Sequence, residues 1–198
     1  MTRIKLCGLR RKCDIEYANA ILPEYIGFVF APKSKRYVSY EEAKTLSGLL
    51  DKRIMIVGVF VDEDMELIAS LVQEGVIDMV QLHGNEDEAY IQSLRKWIDC
   101  PIIQAFRITG NEDIDAVRAS RADYVLVDSG GGSGECFDWS LICKLDRTYF
   151  LAGGLTAENV QEAIESLQPF AVDVSSALET EGYKDIVKMK RFVEAVRG

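Results

Sequence analysis

The chain has 198 residues, of which 48% are hydrophobic and 28% charged, a composition typical of a soluble globular domain. Its net charge of −9 argues against nucleic acid or an anionic membrane as the main partner. The charge is unevenly distributed, because residues 1–36 contain eight Lys and Arg against three Asp and Glu. A basic segment in an acidic chain favours a small anionic ligand, although a solvated basic face accounts for the same counts.

The cysteines and the histidine do not form a recognisable metal or disulfide pattern. Five cysteines are scattered without a C-x-x-C pair, and His83 is the only histidine. We therefore expect no disulfide framework, no metal and no cofactor. Free thiols favour a reducing cytoplasm, and the N-terminus has no apolar signal segment. The longest apolar stretch, residues 54–61, is far below the roughly 18 residues of a membrane helix, so we expect a cytoplasmic protein without a membrane partner.

Eight short apolar runs recur along the chain, each followed by a polar turn and, in most cases, an amphipathic helical pattern. The runs are residues 4–7, 26–30, 54–60, 79–82, 102–106, 124–127, 149–151 and 171–174. Continuous apolar runs are typical of parallel strands that are covered on both faces. Eight such units without a linker predict a compact (β/α)8 TIM barrel, with residues 1–198 forming a single catalytic domain. A doubly wound open sheet is the alternative, but it usually begins with a glycine-rich nucleotide loop, which Cys7-Gly8-Leu9-Arg10 is not.

Three helix boundaries can be predicted from the sequence. Ser39 followed by Glu42 has the spacing of a capping box. Thr156 can cap the helix that follows Gly154, and the last helix is predicted over residues 185–196.

Glycine and serine pairs follow the last two runs, at Gly153-Gly154 and Ser175-Ser176. The carboxyl ends of the strands are the working face of such a barrel, and the ends of strands 7 and 8 often hold a phosphate. Glycine lets backbone amides approach the anion, and a helix N-terminus adds further N–H groups. The sequence therefore predicts a phosphate-binding site at these four residues, although a Gly-Gly pair alone is also compatible with a simple turn.

Cys7 ends the first run, among the basic residues Arg3, Lys5 and Arg10. A positive surrounding lowers the pKa of a thiol and favours the reactive thiolate. Most lone cysteines are small buried hydrophobic residues, and the sequence does not fix which way this side chain points. Cys7 is therefore a candidate catalytic thiol, with a buried structural thiol as the alternative.

Three further polar groups lie at predicted strand ends. Asp128 ends an apolar run and is a candidate general acid, with a loop carboxylate as the alternative. Arg36 lies in a basic loop, and its planar guanidinium suits a carboxylate ligand, although a solvated charge fits equally well. His83 is either a substrate contact or a rim histidine with satisfied hydrogen bonds. The glycine-rich loop that includes Gly132, Ser133 and Gly134 is predicted to be a lid or an anion contact.

Segments along the whole chain resemble the phosphoribosylanthranilate isomerase family. They are Lys5-Leu6-Cys7-Gly8-Leu9, residues 28–38, Val80-Gln81-Leu82-His83-Gly84, Gly132-Ser133-Gly134 with Phe137-Asp138-Trp139, Leu151-Ala152-Gly153-Gly154-Leu155 with Asn159-Val160, and Asp173-Val174-Ser175-Ser176 with Glu179, Lys184 and Asp185. One departure is visible, since the family usually has Pro-Gly before the Lys-Asp pair, where this chain reads Glu181-Gly182-Tyr183. The departure concerns loop geometry after strand 8 and no catalytic group.

The resemblance implies an Amadori rearrangement in L-tryptophan biosynthesis, in which N-(5-phosphoribosyl)anthranilate becomes 1-(2-carboxyphenylamino)-1-deoxyribulose 5-phosphate. It implies that Asp128 is the general acid, that Cys7 is the general base, and that Arg36 contacts the anthranilate moiety. It places the phosphate near Gly154 and Ser175. The expected partner is a phosphorylated small molecule, and the expected state is a monomer or a homodimer. The alternatives are the histidine-pathway phosphoribosyl aminoaldose isomerase and a non-catalytic phospholigand-binding barrel.

Overall fold

Eight parallel strands form a closed barrel in sequence order in the computed structural model, which describes residues 1–128, 142–143 and 145–198. The strands are β1 (Arg3–Cys7), β2 (Tyr25–Val29), β3 (Met55–Phe60), β4 (Met79–Leu82), β5 (Ile102–Arg107), β6 (Tyr124–Asp128), β7 (Tyr149–Ala152) and β8 (Ala171–Val174). Pairing of β1 with β8 closes the ring. The predicted (β/α)8 barrel is therefore confirmed, and the open sheet is excluded. Gly132, Ser133 and Gly134 lie outside the described residues.

Helices connect the strands on the outside of the barrel. Within the described ranges they are α1 (Lys12–Ile21), α2 (Tyr40–Ser47), α3 (Met65–Gln73), α4 (Glu88–Leu94), α5 (Asn111–Ala119), α6 (Val160–Leu167) and α7 (Ile186–Arg197). The predicted capping box is present, because Ser39 accepts from the Glu42 backbone N–H while the Glu42 carboxylate accepts from that of Ser39. None of these helices combines the length and the apolar character that crossing a membrane requires.

The predicted cap at Thr156 is wrong, because α6 begins later, with Asn159 as its N-cap residue. Thr156 instead caps the preceding turn, where its hydroxyl accepts a hydrogen bond from the Glu158 N–H over 3.2 Å. The Asn159 side chain accepts from the Thr156 N–H over 2.8 Å, so the two polar side chains bracket this turn. The last helix agrees with its prediction to within one residue.

The two ends of the barrel interior differ in chemistry. Near the amino ends of the strands the interior is filled by aromatic rings: Phe150 packs against Tyr25, Tyr124 and Phe170 with ring centroids 5.5 to 5.8 Å apart. Arg3 closes this end by stacking over Phe170 at 4.4 Å. Polar side chains line the opposite end, where the strands terminate and the barrel opens into a cavity. The packed end fixes the strands, so the polar groups at the open end are held by a rigid scaffold.

A small hairpin follows β8 and a short turn of 3-10 helix at Ser176–Leu178. Its strands are β9 (Glu179–Thr180) and β10 (Tyr183–Lys184). The two turn residues have positive φ angles, 53° at Glu181 and 79° at Gly182, as a two-residue type I′ hairpin turn requires. Proline cannot adopt the φ of Glu181. A turn with the family's usual Pro-Gly must therefore have a different backbone conformation from the turn observed here.

Candidate active site

A cavity of about 660 Å³ opens at the carboxyl ends of the strands. Every predicted site residue within the described part of the chain lines it, namely Cys7, Arg36, His83, Asp128, Gly153, Gly154, Ser175 and Ser176. These side chains come from six different strand ends or the loops that follow them. The structure thus brings together the candidate thiol, the candidate acid and the candidate phosphate loops, as the sequence predicts.

Cys7 is the last residue of β1 and is 8% exposed. Ile4 and Leu6 belong to the core between the strands and the helices, so the alternation of a strand turns Lys5 and Cys7 towards the barrel interior. The thiol leans towards Gly27 of β2, where a Cβ atom would lie only 2.7 Å from Sγ. The absence of a side chain at Gly27 therefore makes room for the thiol at the floor of the cavity.

The expectation that a positive surrounding lowers the pKa of Cys7 is wrong in sign. Burial raises the pKa of the thiol, the charge of Asp173 adds to that effect, and the charges of Lys5 and Lys184 oppose it without reversing it. Of the three basic residues that motivated the expectation, only Lys5 lies beside the thiol. Arg3 binds Tyr25 at the opposite end of the barrel, and Arg10 stacks over Tyr183 at 4.9 Å.

Lys5 and Asp173 form a buried ion pair below Cys7. The Lys5 side chain is fully buried, and its Nζ donates to Asp173 Oδ1 over 2.9 Å. Burial disfavours the ammonium, but the charges of Asp173 and Cys7 and the hydrogen bonds to both groups outweigh it and raise the pKa of Lys5. A permanent positive charge therefore lies beside the thiol in a part of the barrel that is shielded from solvent.

Asp128 is the last residue of β6 and faces the same cavity as Cys7, half-buried. Its backbone is fixed by the ladder with β5, in register with Arg107, and its carbonyl accepts from the Ile108 N–H over 3.0 Å. Because β6 and β1 lie on different sides of the ring, the two groups approach the cavity from different directions. A carboxyl group and a thiol placed in this way can give and take protons at two positions of one small ligand.

Arg36 is held over Gly8 by a carboxylate rather than left in solvent. Its Nε and Nη2 donate to the two carboxylate oxygens of Glu179 over 2.6 and 2.9 Å. Gly8 has a φ of 80°, and a Cβ there would lie 2.3 Å from Arg36 Cδ, so only glycine leaves space for this side chain. The hydrogen bonds to Glu179 raise the pKa of the guanidinium further. The reading of Arg36 as a solvated charge is therefore wrong.

The glycine and serine pairs meet at one edge of the cavity. Gly153 and Gly154 both have positive φ angles, 92° and 62°, which bring the backbone close to the cavity. Ser175 is held by its hydroxyl, which donates to the Cys7 carbonyl over 3.0 Å. Lys184 lies behind this edge and donates to the Ser175 carbonyl over 2.9 Å. Backbone amides and a nearby buried cation give this edge the character of an anion site.

His83 lies at the rim of the cavity and is exposed, and its ring forms a hydrogen bond with the buried Gln81. Gln81 Nε2 lies 2.9 Å from His83 Nδ1, in a hydrogen bond whose donor and acceptor are set by the tautomer of the ring. Gln81 Oε1 is buried without a hydrogen-bond partner in the part of the chain that the structure describes. His83 lines the cavity from this position at the rim.

Sequence reasoning assigned no role in the site to four residues that support these groups, although they occur in the segments that resemble the family: Lys5, Asp173, Glu179 and Lys184. A lysine and an aspartate inside otherwise apolar strands are the signal that would have indicated the first pair. Glu179 and Lys184 lie on the short hairpin β9–β10, where charged residues are ordinary, so only the family resemblance singles them out.

These features define a class: a TIM-barrel protein whose candidate enzyme site combines a thiol, a carboxyl group and an anion-binding edge at the carboxyl ends of the strands. The family model for N-(5′-phosphoribosyl)anthranilate (PRA) isomerase matches residues 4–195. A relative from Thermoanaerobacter sp. (strain X514) with that name is 45% identical over 205 residues, covering 100% of this chain and 99% of the relative. A relative from Streptococcus mutans with the same name is 43% identical over 201 residues, covering 100% of both chains.

Solved structures agree with the sequence comparison. The crystal structure of phosphoribosyl anthranilate isomerase from Thermotoga maritima has a TM-score of 0.91 and 37% identity, covering 100% of both chains. A phosphoribosyl anthranilate isomerase in complex with reduced 1-(o-carboxyphenylamino)-1-deoxyribulose 5-phosphate has a TM-score of 0.88 and 35% identity, again with full coverage. The chain belongs to the N-(5′-phosphoribosyl)anthranilate isomerase family and is an isomerase.

Proposed function

We propose that this chain isomerises N-(5-phosphoribosyl)anthranilate to 1-(2-carboxyphenylamino)-1-deoxyribulose 5-phosphate in L-tryptophan biosynthesis, with Asp128 as general acid and Cys7 as general base. The observation that carries the assignment is that Cys7 and Asp128 line one cavity together with the glycine and serine pairs after β7 and β8. Family membership supports the substrate. The placement of the side chains supports their roles.

The reaction needs a general acid that protonates the ring oxygen and a general base that removes a proton from carbon. Asp128 protonates the furanose ring oxygen, the bond from that oxygen to C1′ breaks, and the nitrogen lone pair forms a Schiff base. Cys7, as thiolate, removes the proton from C2′, and the electron pair of that C–H bond forms an enolamine. The enolamine gains a proton at C1′ and loses the hydroxyl proton at C2′, which yields the ketone with unchanged composition. General acid–base steps of this kind contribute about 10² to 10⁴-fold each.

Three contacts orient the substrate in this proposal. The phosphate binds at the edge formed by Gly153, Gly154, Ser175 and Ser176, where backbone amides suit an anion. The anthranilate carboxylate binds Arg36, and His83 contacts the substrate from the rim. The relative with bound reduced product supports a ligand of this kind. The roles predicted for Gly132, Ser133 and Gly134 concern residues outside the described part and stay predictions.

The thiol must lose its proton to act as a base, although burial raises its pKa. The ammonium of Lys5, fully buried beside it, supplies the charge that makes the thiolate attainable in this part of the barrel. Lys5 touches Cys7 rather than substrate in this scheme, so it supports the base without taking part in a bond change.

The test follows the loss of fluorescence of the anthranilate sugar, which is made in situ. We expect turnover by the unaltered chain, and a loss of at least about 10² in kcat for Cys7→Ala and for Asp128→Asn. Cys13→Ala, on α1 and away from the cavity, and Asp115→Asn, exposed on α5, are matched controls that retain activity. Near-normal turnover by Cys7→Ala or Asp128→Asn in a folded state removes that residue from the mechanism.

The alternatives are outcomes of the same assay. Turnover of the histidine-pathway aminoaldose in place of the anthranilate sugar would replace the substrate assignment. Stabilisation by the reduced product without turnover of either sugar would indicate a non-catalytic phospholigand-binding barrel. We also propose that residues 1–198 act as one catalytic domain, in the cytoplasm, as a monomer or a homodimer. A solved structure at 35% identity contains monomers generated from a dimeric phosphoribosylanthranilate isomerase of Thermotoga maritima, so the family includes a dimer.

A further inference from the structure

One edge of the Arg36 guanidinium is already occupied inside the protein. Nε and Nη2 form two parallel hydrogen bonds with Glu179, at 2.6 and 2.9 Å. A guanidinium has five N–H donors in a fixed plane, so this arrangement leaves both protons of Nη1 and one of Nη2 for other acceptors. Within the described ranges Nη1 has no protein partner. The remaining edge of the guanidinium is formed by Nη1 and Nη2 at the end of the side chain. Arg36 lines the cavity, so this edge is the part of the guanidinium available to a ligand.

Glu179 is itself fixed by a second cation. Lys184 Nζ donates to Glu179 Oε1 over 2.7 Å, and its side chain is only 1% exposed. Burial raises the pKa of Glu179, but the hydrogen bonds and charges of Arg36 and Lys184 outweigh burial and lower it overall. The carboxylate therefore stays ionised and balanced between two positive groups, which disfavours its rotation away from Arg36.

Lys184 connects this group to the anion-binding edge. The same Nζ donates to the Ser175 carbonyl over 2.9 Å, and the Ser175 hydroxyl donates to the Cys7 carbonyl over 3.0 Å. Both Glu179 and Lys184 lie on paired positions of the hairpin β9–β10. One short hairpin thus sets the position of Arg36 and supports the loop that begins at Ser175.

A free arginine side chain loses rotamer entropy when it is ordered on a ligand. Here the ordering is already complete before any ligand arrives, since the bidentate contact with Glu179 and the surface over Gly8 fix the side chain. The orientation is also specific: the edge taken by Glu179 is not open to a ligand carboxylate, which must approach the Nη1 and Nη2 end.

We propose that Glu179 is a positioning residue, which with Lys184 holds Arg36 so that its Nη1 and Nη2 end meets the carboxylate of the substrate. The inference deepens the proposed function and rests on its assignment of a carboxylate ligand to Arg36. It predicts that loss of the Glu179 charge weakens recognition of the carboxylate group in particular and leaves the proton transfers at Cys7 and Asp128 largely intact.

The experiment compares Glu179→Gln with Glu74→Gln, the same change in an exposed ion pair with Lys44. We expect Glu179→Gln to raise KM about tenfold or more, because a buried charge pair loses one partner, with kcat within about threefold. Binding of the reduced product, measured by calorimetry, should weaken by the same factor. Binding of its counterpart without the ring carboxyl should be unchanged. Glu74→Gln should alter none of these quantities.

An equal loss for both ligands, or an unchanged KM in a folded Glu179→Gln, would overturn the positioning role. If Glu179→Gln does not fold, Glu179→Asp keeps the charge but shortens the reach, and the same carboxylate-specific loss is expected. In an Arg36→Ala background the Glu179→Gln change should cause no further loss of carboxylate preference, and an additive loss would contradict action through Arg36. An unchanged carboxylate preference in Arg36→Ala alone would instead refute the proposed role of Arg36, with the wild-type turnover assay reporting separately on the overall function.

Discussion

Lys5 donates a hydrogen bond to Asp173 over 2.9 Å, and this ion pair joins β1 to β8 directly below the Cys7 thiol. The two residues are 168 positions apart in the chain and meet because the closing ladder pairs them in register. Ion pairs that are buried in this way add little net stability compared with apolar residues, but breaking one is strongly destabilising. The position of this ion pair beside a candidate base therefore points to an electrostatic role.

Replacing Lys5 by Met is expected to suppress the reactivity of Cys7. The ammonium opposes the rise in the pKa of the thiol that burial causes, so its removal raises that pKa further. Asp173 then adds a negative charge that Lys5 no longer balances, while Lys184, Arg36 and Asp128 are unchanged. We expect alkylation of Cys7 by iodoacetamide at pH 8 to slow about tenfold or more. Mass spectrometry of the Cys7 peptide measures this, with Cys13 and Cys143 as internal references.

A double variant, with Lys5→Met and Asp173→Asn together, separates the effect on thiol reactivity from the effect on stability. Lys5→Met leaves a buried unpaired carboxylate and should lower the free energy of unfolding by about 3–5 kcal/mol. Lys5→Met combined with Asp173→Asn should recover much of that loss and part of the alkylation rate, which stays below that of wild type because Lys5 acts more strongly on the pKa of the thiol than Asp173 does. In wild type the rate of Cys7 alkylation should increase as the pH approaches the raised pKa of the thiol. In Lys5→Met the same increase should occur at higher pH. Equal alkylation rates in folded wild type and Lys5→Met would show that Lys5 does not act on the thiol.

Gly27→Ala tests the space around the thiol. The added Cβ would lie 2.7 Å from Cys7 Sγ and 3.2 Å from Cys7 Cα, which forces the side chain from its position. Overpacking of this kind costs about 1–3 kcal/mol of stability. We expect a fall in kcat of about tenfold or more, since proton abstraction depends on the placement of the base.

The control for Gly27→Ala is Gly48→Ala, whose Cβ would meet its nearest neighbour at an ordinary 3.5 Å. It should retain both activity and stability. Phosphate protection against thermal unfolding should persist in both variants, because the anion edge lies after β7 and β8. An unchanged kcat in Gly27→Ala would mean that the thiol does not need its observed position.

The barrel itself could be predicted from the sequence because its signal is local. The hydrophobic pattern of each strand or helix reflects which of its own residues are buried, so it can be read from a short segment. Eight consecutive βα repeats are then compatible with only a few topologies. The ends of the strands then follow, which is why sequence alone could select Cys7, Asp128 and the pairs at Gly153 and Ser175 as candidates. The failure at Thr156 has a local cause too, since Asn159 competes for the same turn.

The electrostatics of the site could not be predicted, because they depend on contacts between distant parts of the chain. Lys5 meets Asp173 only when β1 and β8 close the ring, and Arg36 meets Glu179 across 143 positions. Charge counting near Cys7 gave the wrong direction for its pKa because burial, which acts through the whole fold, outweighs the neighbouring lysine. Local sequence indicates which groups are present, and tertiary register decides which charges they face.

Gly8→Ala is expected to disturb Arg36. Its Cβ would lie 2.3 Å from Arg36 Cδ, on a residue whose φ is 80°. Gly75 is a matched control, since it has a φ of 67° with open space around the same Cβ. Both substitutions should destabilise the fold by about 1–2 kcal/mol through backbone strain. Only Gly8→Ala should raise KM for the anthranilate sugar, and an equal KM in the two variants would argue against a collision with Arg36.

Tyr149→Phe is expected to change how stability depends on pH. Tyr149 is buried at the closed end of the barrel and donates its hydroxyl proton to the Leu167 carbonyl. Burial raises its pKa to about 12, so the folded protein keeps the phenol neutral where the unfolded chain, with a pKa near 10, ionises. A raised pKa contributes stability that is complete below pH 10 and is lost as pH rises towards 12.

At pH 8 the Tyr149→Phe variant should be less stable by about 1–2 kcal/mol, because the Leu167 carbonyl loses its donor. Between pH 8 and pH 11 the wild type should lose about 1.4 kcal/mol more than the variant, because at pH 11 one unit separates the solution from the pKa of the unfolded phenol. The difference between the two proteins therefore shrinks as the pH rises. Urea unfolding at pH 8, 9, 10 and 11 measures it, with the exposed Tyr37→Phe as a control that leaves the curve unchanged. A constant difference across this range would mean that the phenol ionises equally in both states, in conflict with its burial.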